Sequence, residues 1–152
     1  MGYYMRFFDT GKKRLALCNI RAALRRVDRQ YTLEVPDTAN PQSGTLRYAG
    51  VVHAEIDISK LGDRLFESEI AEMLEAVDAV KGKGAAKTIV REALGEARRI
   101  IVVCVRFGTK EVEDALSRID PLWDWLFAER PGLLHAEGEG FYDGDGLILA
   151  MK

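Results

Sequence analysis

The sequence predicts an α+β domain: a mainly antiparallel sheet of about five or six strands, with about four or five helices packed chiefly on one face, in the order (β)αββααβααββ. Three observations carry this expectation. Ile100 to Val105 is an unbroken apolar run, nearly all β-branched, with Arg98, Arg99 and Arg106 at its ends. Without polar alternation it reads as a central strand covered on both faces. Apolar residues at helical spacing precede and follow it, and alternating runs with turn residues lie near both ends of the chain. The 152 residues form one expected domain, 1–152, long enough to bury about two-thirds of the unfolded surface.

Tyr4 to Phe8 is read as a short first strand, and Asp9-Thr10-Gly11 as turn and capping chemistry. Leu17, Ile20, Leu24, Val27 and Tyr31 follow at steps of 3, 4, 3 and 4, which predicts an amphipathic helix over Lys12 to Arg29 with a basic outer face. Tyr31 to Val35 alternates and ends at Pro36, and Asp37 to Gly44 is a loop by composition. Thr45 to Ile58 reads as one long half-buried strand bent at Gly50, paired with Tyr31–Val35.

Ser59 or Asp63 caps a second helix, whose stripe is Phe66, Ile70, Met73, Val77 and Val80 and whose outer face is acidic. Lys81-Gly82-Lys83-Gly84 breaks it, and a third helix runs from Ala86 to Ala97 into the central strand. Thr109 caps the next helix, with Glu111 and Glu113 placed favourably against its dipole. Asp120-Pro121 interrupts and restarts it through Leu122, Trp123, Trp125, Leu126 and Phe127. This Trp-rich stretch reads as core, with a homodimer interface as the alternative. After Pro131-Gly132 the chain closes in strands from Leu133 to Met151, turning at Asp143-Gly144-Asp145-Gly146.

Composition excludes several function classes. A net charge of −2 gives no global field for nucleic acid or an anionic membrane. The basic face of the first helix lacks the interleaved aromatics of a nucleic-acid surface, and the acidic second helix is a ready partner for it. Lys83-Gly84-Ala85-Ala86-Lys87-Thr88 misplaces the glycines of a phosphate loop, and a helix rather than a strand precedes it. The Asp143–Gly146 tip lacks the longer loop and closing Glu of a calcium hand. No Gly-x-Ser-x-Gly elbow or dinucleotide fingerprint is present. Cys18 and Cys104 have no C-x-x-C partner and read as buried reduced thiols; with no apolar leader at the N-terminus, the expected compartment is the cytoplasm.

Two functional expectations remain. The first is a binding or interaction module for a small molecule or a protein partner. Its site is a glycine-bared strand, where Gly138 and Gly140 leave one face open to a backbone, a ring or a ligand, and Phe141 and Tyr142 roof it. A tryptophan, Trp123 or Trp125, filling that gap is the structural alternative. The second is a small metal-dependent or acid/base enzyme. The two histidines open the same tripeptide, His53-Ala54-Glu55 and His135-Ala136-Glu137, and each Glu is followed two residues later by Asp57 or Glu139. If strands 51–58 and 133–142 face each other, these six side chains form a ligand set for a divalent metal such as Zn²⁺, Mn²⁺ or Fe²⁺, the one cofactor this alternative brings. His53 shares parity with Val51, and His135 with Leu133, so the direction of those apolar neighbours decides whether the imidazoles face inward. The same residues also suit the wet face of an antiparallel sheet.

Overall fold

The computed structural model describes residues 2–36, 39, 41–82 and 84–151. Asp37, Thr38 and Asn40 of the expected loop, and Lys83 of the basic break, lie outside the described residues. Among the described residues there are eight strands: β1 Gly2–Asp9, β2 Tyr31–Glu34, β3 Ser43–Tyr48, β4 Val51–Lys60, β5 Arg99–Arg106, β6 Gly132–Ala136, β7 Gly140–Asp143 and β8 Gly146–Ala150. They form one sheet in the order β2-β3-β4-β5-β1-β6-β7-β8. Every neighbouring pair is antiparallel. The helices are α1 Leu17–Val27, α2 Arg64–Asp78, α3 Ala85–Glu96, the short α4 Val112–Ser117 and α5 Asp120–Glu129. None of the described helices is long and apolar enough to cross a membrane.

The α+β class and the antiparallel sheet are as expected; the strand count is higher. Two expected strands are each interrupted. Thr45–Ile58 is a hairpin rather than a bent strand, because Ala49 (φ 50°) and Gly50 (φ 81°) both adopt the left-handed conformation of a tight two-residue turn. Likewise 133–142 is cut at Glu137-Gly138-Glu139, where Gly138 has φ 78° and the Glu139 N–H donates to the Ala136 carbonyl at 3.0 Å.

β1 and β5 form the centre, in register from Gly2–Arg106 to Asp9–Arg99. Their side chains alternate between two cores. On one face Phe7, Ile101, Val103 and Val105 pack with Leu17, Ile20 and Leu24 of α1 and with Leu122, Trp123 and Leu126 of α5. On the other, Phe8, Ile100 and Val102 pack with Phe66 and Val77 of α2 and with Val90 and Leu94 of α3. Helices therefore cover both faces, not chiefly one. The six-residue apolar run of β5 requires this, since either face left open would put β-branched side chains in water, at about 1.5–3 kcal/mol each.

A buried ion cluster ties the layers together. Asp9, at 0% exposure, accepts hydrogen bonds from Arg99 Nη1 at 2.7 Å, Arg130 Nε at 2.6 Å and its near neighbour Gly11 N at 2.8 Å. The same guanidinium of Arg99 donates to the carbonyls of Gly11 (3.2 Å) and Lys13 (3.0 Å), and Arg130 also donates to Lys13. α1 begins at Leu17 rather than at Lys12, behind an extended Ala16 whose N–H donates to Asn19 Oδ1 at 2.9 Å. The last residue of its predicted stripe within the helix, Val27, is exposed. Of the two thiols, Cys104 is buried and Cys18 is exposed, and both are free.

Candidate functional site

The structure does not bring the two His-Ala-Glu segments together. β4 and β6 are separated by β5 and β1. Three inter-strand steps of about 4.8 Å put about 14 Å between them, whereas a shared ion needs each ligand within about 2 Å. The imidazoles also lie on opposite faces. On β4 the pairing jumps from Leu46–Ala54 to Arg47–Val52, so His53 is the extra residue of a bulge. It turns toward the α1/α5 side, beside the Tyr48 ring at 6.3 Å. On β6, His135 stays in register opposite Arg6 and Phe141 on the α2/α3 side.

The four carboxylates are spread as well. Glu55 pairs with Arg106, Asp57 accepts from Ser43, Glu137 is exposed in the β6–β7 turn, and Glu139 sits between Tyr3 and Tyr142. No group of three or more His, Cys, Asp or Glu among the described residues is arranged to hold a metal ion. Each imidazole faces cations instead. Burial, then Lys110 and Arg118, hold the pKa of His53 below its ordinary value. Burial and then Arg6 push His135 down to about 4.

That depression has a readable consequence. The unfolded chain protonates His135 from about pH 6.5 downward, while the folded chain resists until about 4. Its contribution is therefore nil above pH 6.5, and stability falls as pH drops from about 6.5 to about 4. In urea titrations across that window, His135→Gln is expected to flatten part of the fall seen in the native protein. Equal pH slopes for the two proteins, or a ring signal titrating near 6.5, would show the shift to be absent.

The glycine-bared strand resolves into separate roles. A Cβ on residue 140 would fall 2.0 Å from the Leu149 carbonyl oxygen, so the backbone of β8 occupies the space, not a tryptophan or a ligand. Gly138 shapes the turn, with nothing within 4 Å of an added Cβ. Phe141 is fully buried on the α2/α3 face, with ring centroids 5.9 Å from Phe8 and 4.9 Å from His135. Of the four predicted ligand residues only Tyr142 reaches an open groove.

That groove lies on the opposite face, between α5 and the β1–β6–β7 part of the sheet, with a volume of about 430 Å³. From α5 it takes Asp120, Trp123, Asp124 and Phe127, which at i, i+3, i+4 and i+7 form one helical stripe. From the sheet it takes Met5, Leu134 and Ala136 as an apolar floor and Tyr3, Glu139 and Tyr142 at the rim. The Asp143–Gly146 turn closes one end, with Asp143 Oδ1 accepting from the N–H groups of Asp145 (2.8 Å) and Gly146 (3.1 Å).

The electrostatics are one-sided. Asp120, Asp124, Glu139, Asp143 and Asp145 line the groove, with no Lys, Arg or His among the described lining residues. Glu139 accepts from Tyr3 Oη at 2.6 Å and from Tyr142 Oη. The phenol bonds from Tyr142 and then Tyr3 lower its pKa, fixing an anion at the rim. Burial and then Glu139 raise the Tyr3 phenol, and the bond to Glu139 raises Tyr142. Burial and then neighbouring Asp124 raise the Asp120 carboxyl. Trp123 is 5% exposed, and its indole Nε1 has no hydrogen-bond partner.

The described lining residues include no Ser, Thr or Cys either. What it does present is an apolar floor and a ring of negative charge. In the sequence Asp120 reads only as part of the Asp120-Pro121 break, and the Trp-rich stretch as core, which conceals this face. The usable signal was acids four apart on the same stripe as Trp123 and Phe127. Comparison with protein-family models, with characterised proteins and with solved structures returns no significant match for this chain.

Proposed function

We propose that this chain is a binding module for a small molecule, with the α5-side groove as its ligand site. The observation that carries the reading is an open groove with an apolar floor of Met5, Leu134 and Ala136 and five carboxylates around it, unmatched by any cation among the described lining residues. The groove volume of about 430 Å³ also falls in the range of small-ligand sites, about 300–1,000 Å³. A protein partner inserting one side chain would use the same features.

The test is a mixed collection of cationic, neutral and anionic fragments, followed by ¹H–¹⁵N NMR of the intact chain. The Trp123 indole signal is identified by its loss in Trp123→Phe. Binders are expected to move that signal together with the backbone amides of Tyr142 and Gly144. Phe127→Ala removes an aromatic wall of the groove and is expected to weaken them about 3- to 10-fold. Fragments that bind only elsewhere, or none that move these signals, would end the proposal.

A further inference from the structure

We propose that the pocket between α2 and the β1–β6 part of the sheet binds a soft monovalent metal ion, Cu(I), through the thioethers of Met73 and Met151 and the imidazole of His135. The pocket has a volume of about 210 Å³ and is lined by Arg6, Glu69, Glu72, Met73, Ala76, His135 and Met151. It lies on the α2/α3 face, opposite the α5-side groove, so the proposal stands independently of that groove.

Three separate stretches of chain bring the donors together. Met73 lies on the sheet-facing stripe of α2, three residues after Ile70 and four before Val77. His135 stands on β6, opposite Arg6 of β1 and Phe141 of β7. Met151 directly follows β8, and its N–H donates to the Glu139 carbonyl at 2.9 Å, which fixes the backbone there. The chain has only four methionines and two histidines, so two thioethers and an imidazole on one small pocket do not follow from abundance.

The state of each side chain suits a ligand. Both methionines are half-buried and border the pocket, whereas a methionine that only fills a core gap is sealed from water. Three rotatable bonds let each thioether turn toward an ion. His135 makes no hydrogen bond at either nitrogen among the described residues. Its Nδ1 is buried, which leaves Nε2 as the nitrogen free to bind. The Phe141 ring, 4.9 Å away, limits rotation of the imidazole.

Donor type and charge select the ion. Thioether sulfur favours Cu(I), whereas Mg²⁺, Ca²⁺ and Mn²⁺ take oxygen and Zn²⁺ takes thiolate, imidazole or carboxylate. Arg6 Nε donates to Glu69 Oε2 at 2.7 Å, so those two charges cancel, and Glu72 has no cation partner among the described residues. The described lining thus carries one net negative charge, which a monovalent ion neutralises. None of the carboxylates of the two His-Ala-Glu segments takes part.

The experiment labels the methionine ε-methyl groups of the intact chain with ¹³C and titrates it with Ag(I), a redox-inert stand-in, and with Cu(I) without oxygen. The Met73 and Met151 signals are identified by their loss in Met73→Leu and Met151→Leu. Both methyls and the His135 ring signals are expected to shift together and to saturate at one ion per chain, while the Met5 methyl stays in place. Zn²⁺ at the same concentration is expected to move none of them. Cys18 is an exposed thiol that takes soft ions too, so the titration is repeated in Cys18→Ser, where the same shifts are expected. Met73→Leu, Met151→Leu and His135→Gln should each weaken binding at least about tenfold, since even outer partners of a metal ligand are worth that much. Leucine conserves the volume of methionine, and thermal melts verify folding.

Methyls that move without the imidazole, shifts that vanish in Cys18→Ser, an equal response to Zn²⁺, or Leu variants that bind as the native chain does would each overturn the proposal. So would a native chain in which neither ion moves the two methyls.

Discussion

Asp9→Ala is expected to cost about 3–5 kcal/mol of folding stability, the largest effect of any single substitution considered for this chain. The carboxylate is fully buried and receives two guanidinium groups and a backbone N–H. Removing it leaves Arg130, 8% exposed, and the largely buried Arg99 without their counter-ion. Uncompensated charge in a protein interior is what makes broken buried pairs so costly.

The damage should also have an address. Arg99 and Arg130 position the carbonyls of Gly11 and Lys13, so the segment before α1 should lose its hydrogen-exchange protection. As a contrast, Glu34→Ala breaks an exposed pair with Arg47 and is expected to cost under about 1 kcal/mol. Urea unfolding of the two variants measures both. A loss below about 1 kcal/mol for Asp9→Ala would mean that the cluster does not hold the layers together.

Gly140→Ala is expected to be the second most damaging change, at about 3 kcal/mol or more. Two independent terms add. The backbone has φ 137°, a region essentially reserved for glycine, and strain there costs about 1–3 kcal/mol. The new methyl would also meet the Leu149 carbonyl oxygen at 2.0 Å and the Ala150 Cα at 3.0 Å, and overpacking of this kind costs about 1–3 kcal/mol.

Neither obstacle is a side-chain tip that can swing away, so β8 must move. The β7–β8 turn carries Asp143 and Asp145, and ligand affinity in the groove should fall with stability. Gly138→Asn is the companion variant. That position has φ 78°, open space around it, and a residue type that tolerates the left-handed conformation, so its cost is expected to stay under about 1 kcal/mol. Equal melting temperatures for the two variants would refute the close approach of β8.

Local pattern made much of the architecture legible. The β-branched run from Ile100 to Val105 announced a strand covered on both faces, and β5 is one. The stripes at Leu17, Ile20 and Leu24 and at Phe66 and Val77 announced helices whose buried sides are those residues. Such signals survive in one dimension because the helix and strand repeats are short compared with the elements themselves.

Where expectation and structure part, a longer-range contact or a single backbone angle decided. The Thr45–Ile58 alternation continued smoothly through Ala49-Gly50, and only their paired left-handed angles reveal a hairpin. Leu133 is buried on the α2/α3 side and His135 shares that side, as parity requires, whereas the bulge at His53 breaks the same rule on β4.

By itself, then, the sequence determined the class, the central strand and the apolar side of most helices, because each depends on neighbours within a turn or a pleat. Only the tertiary structure decided which face each helix covers, that the two histidines never meet, that Asp9 joins Arg99 and Arg130, and that Tyr3, Trp123 and Glu139 share a groove. These residues stand far apart along the chain. Their meeting is set by strand order and by the path of the connections, for which a single sequence carries no local periodic signal.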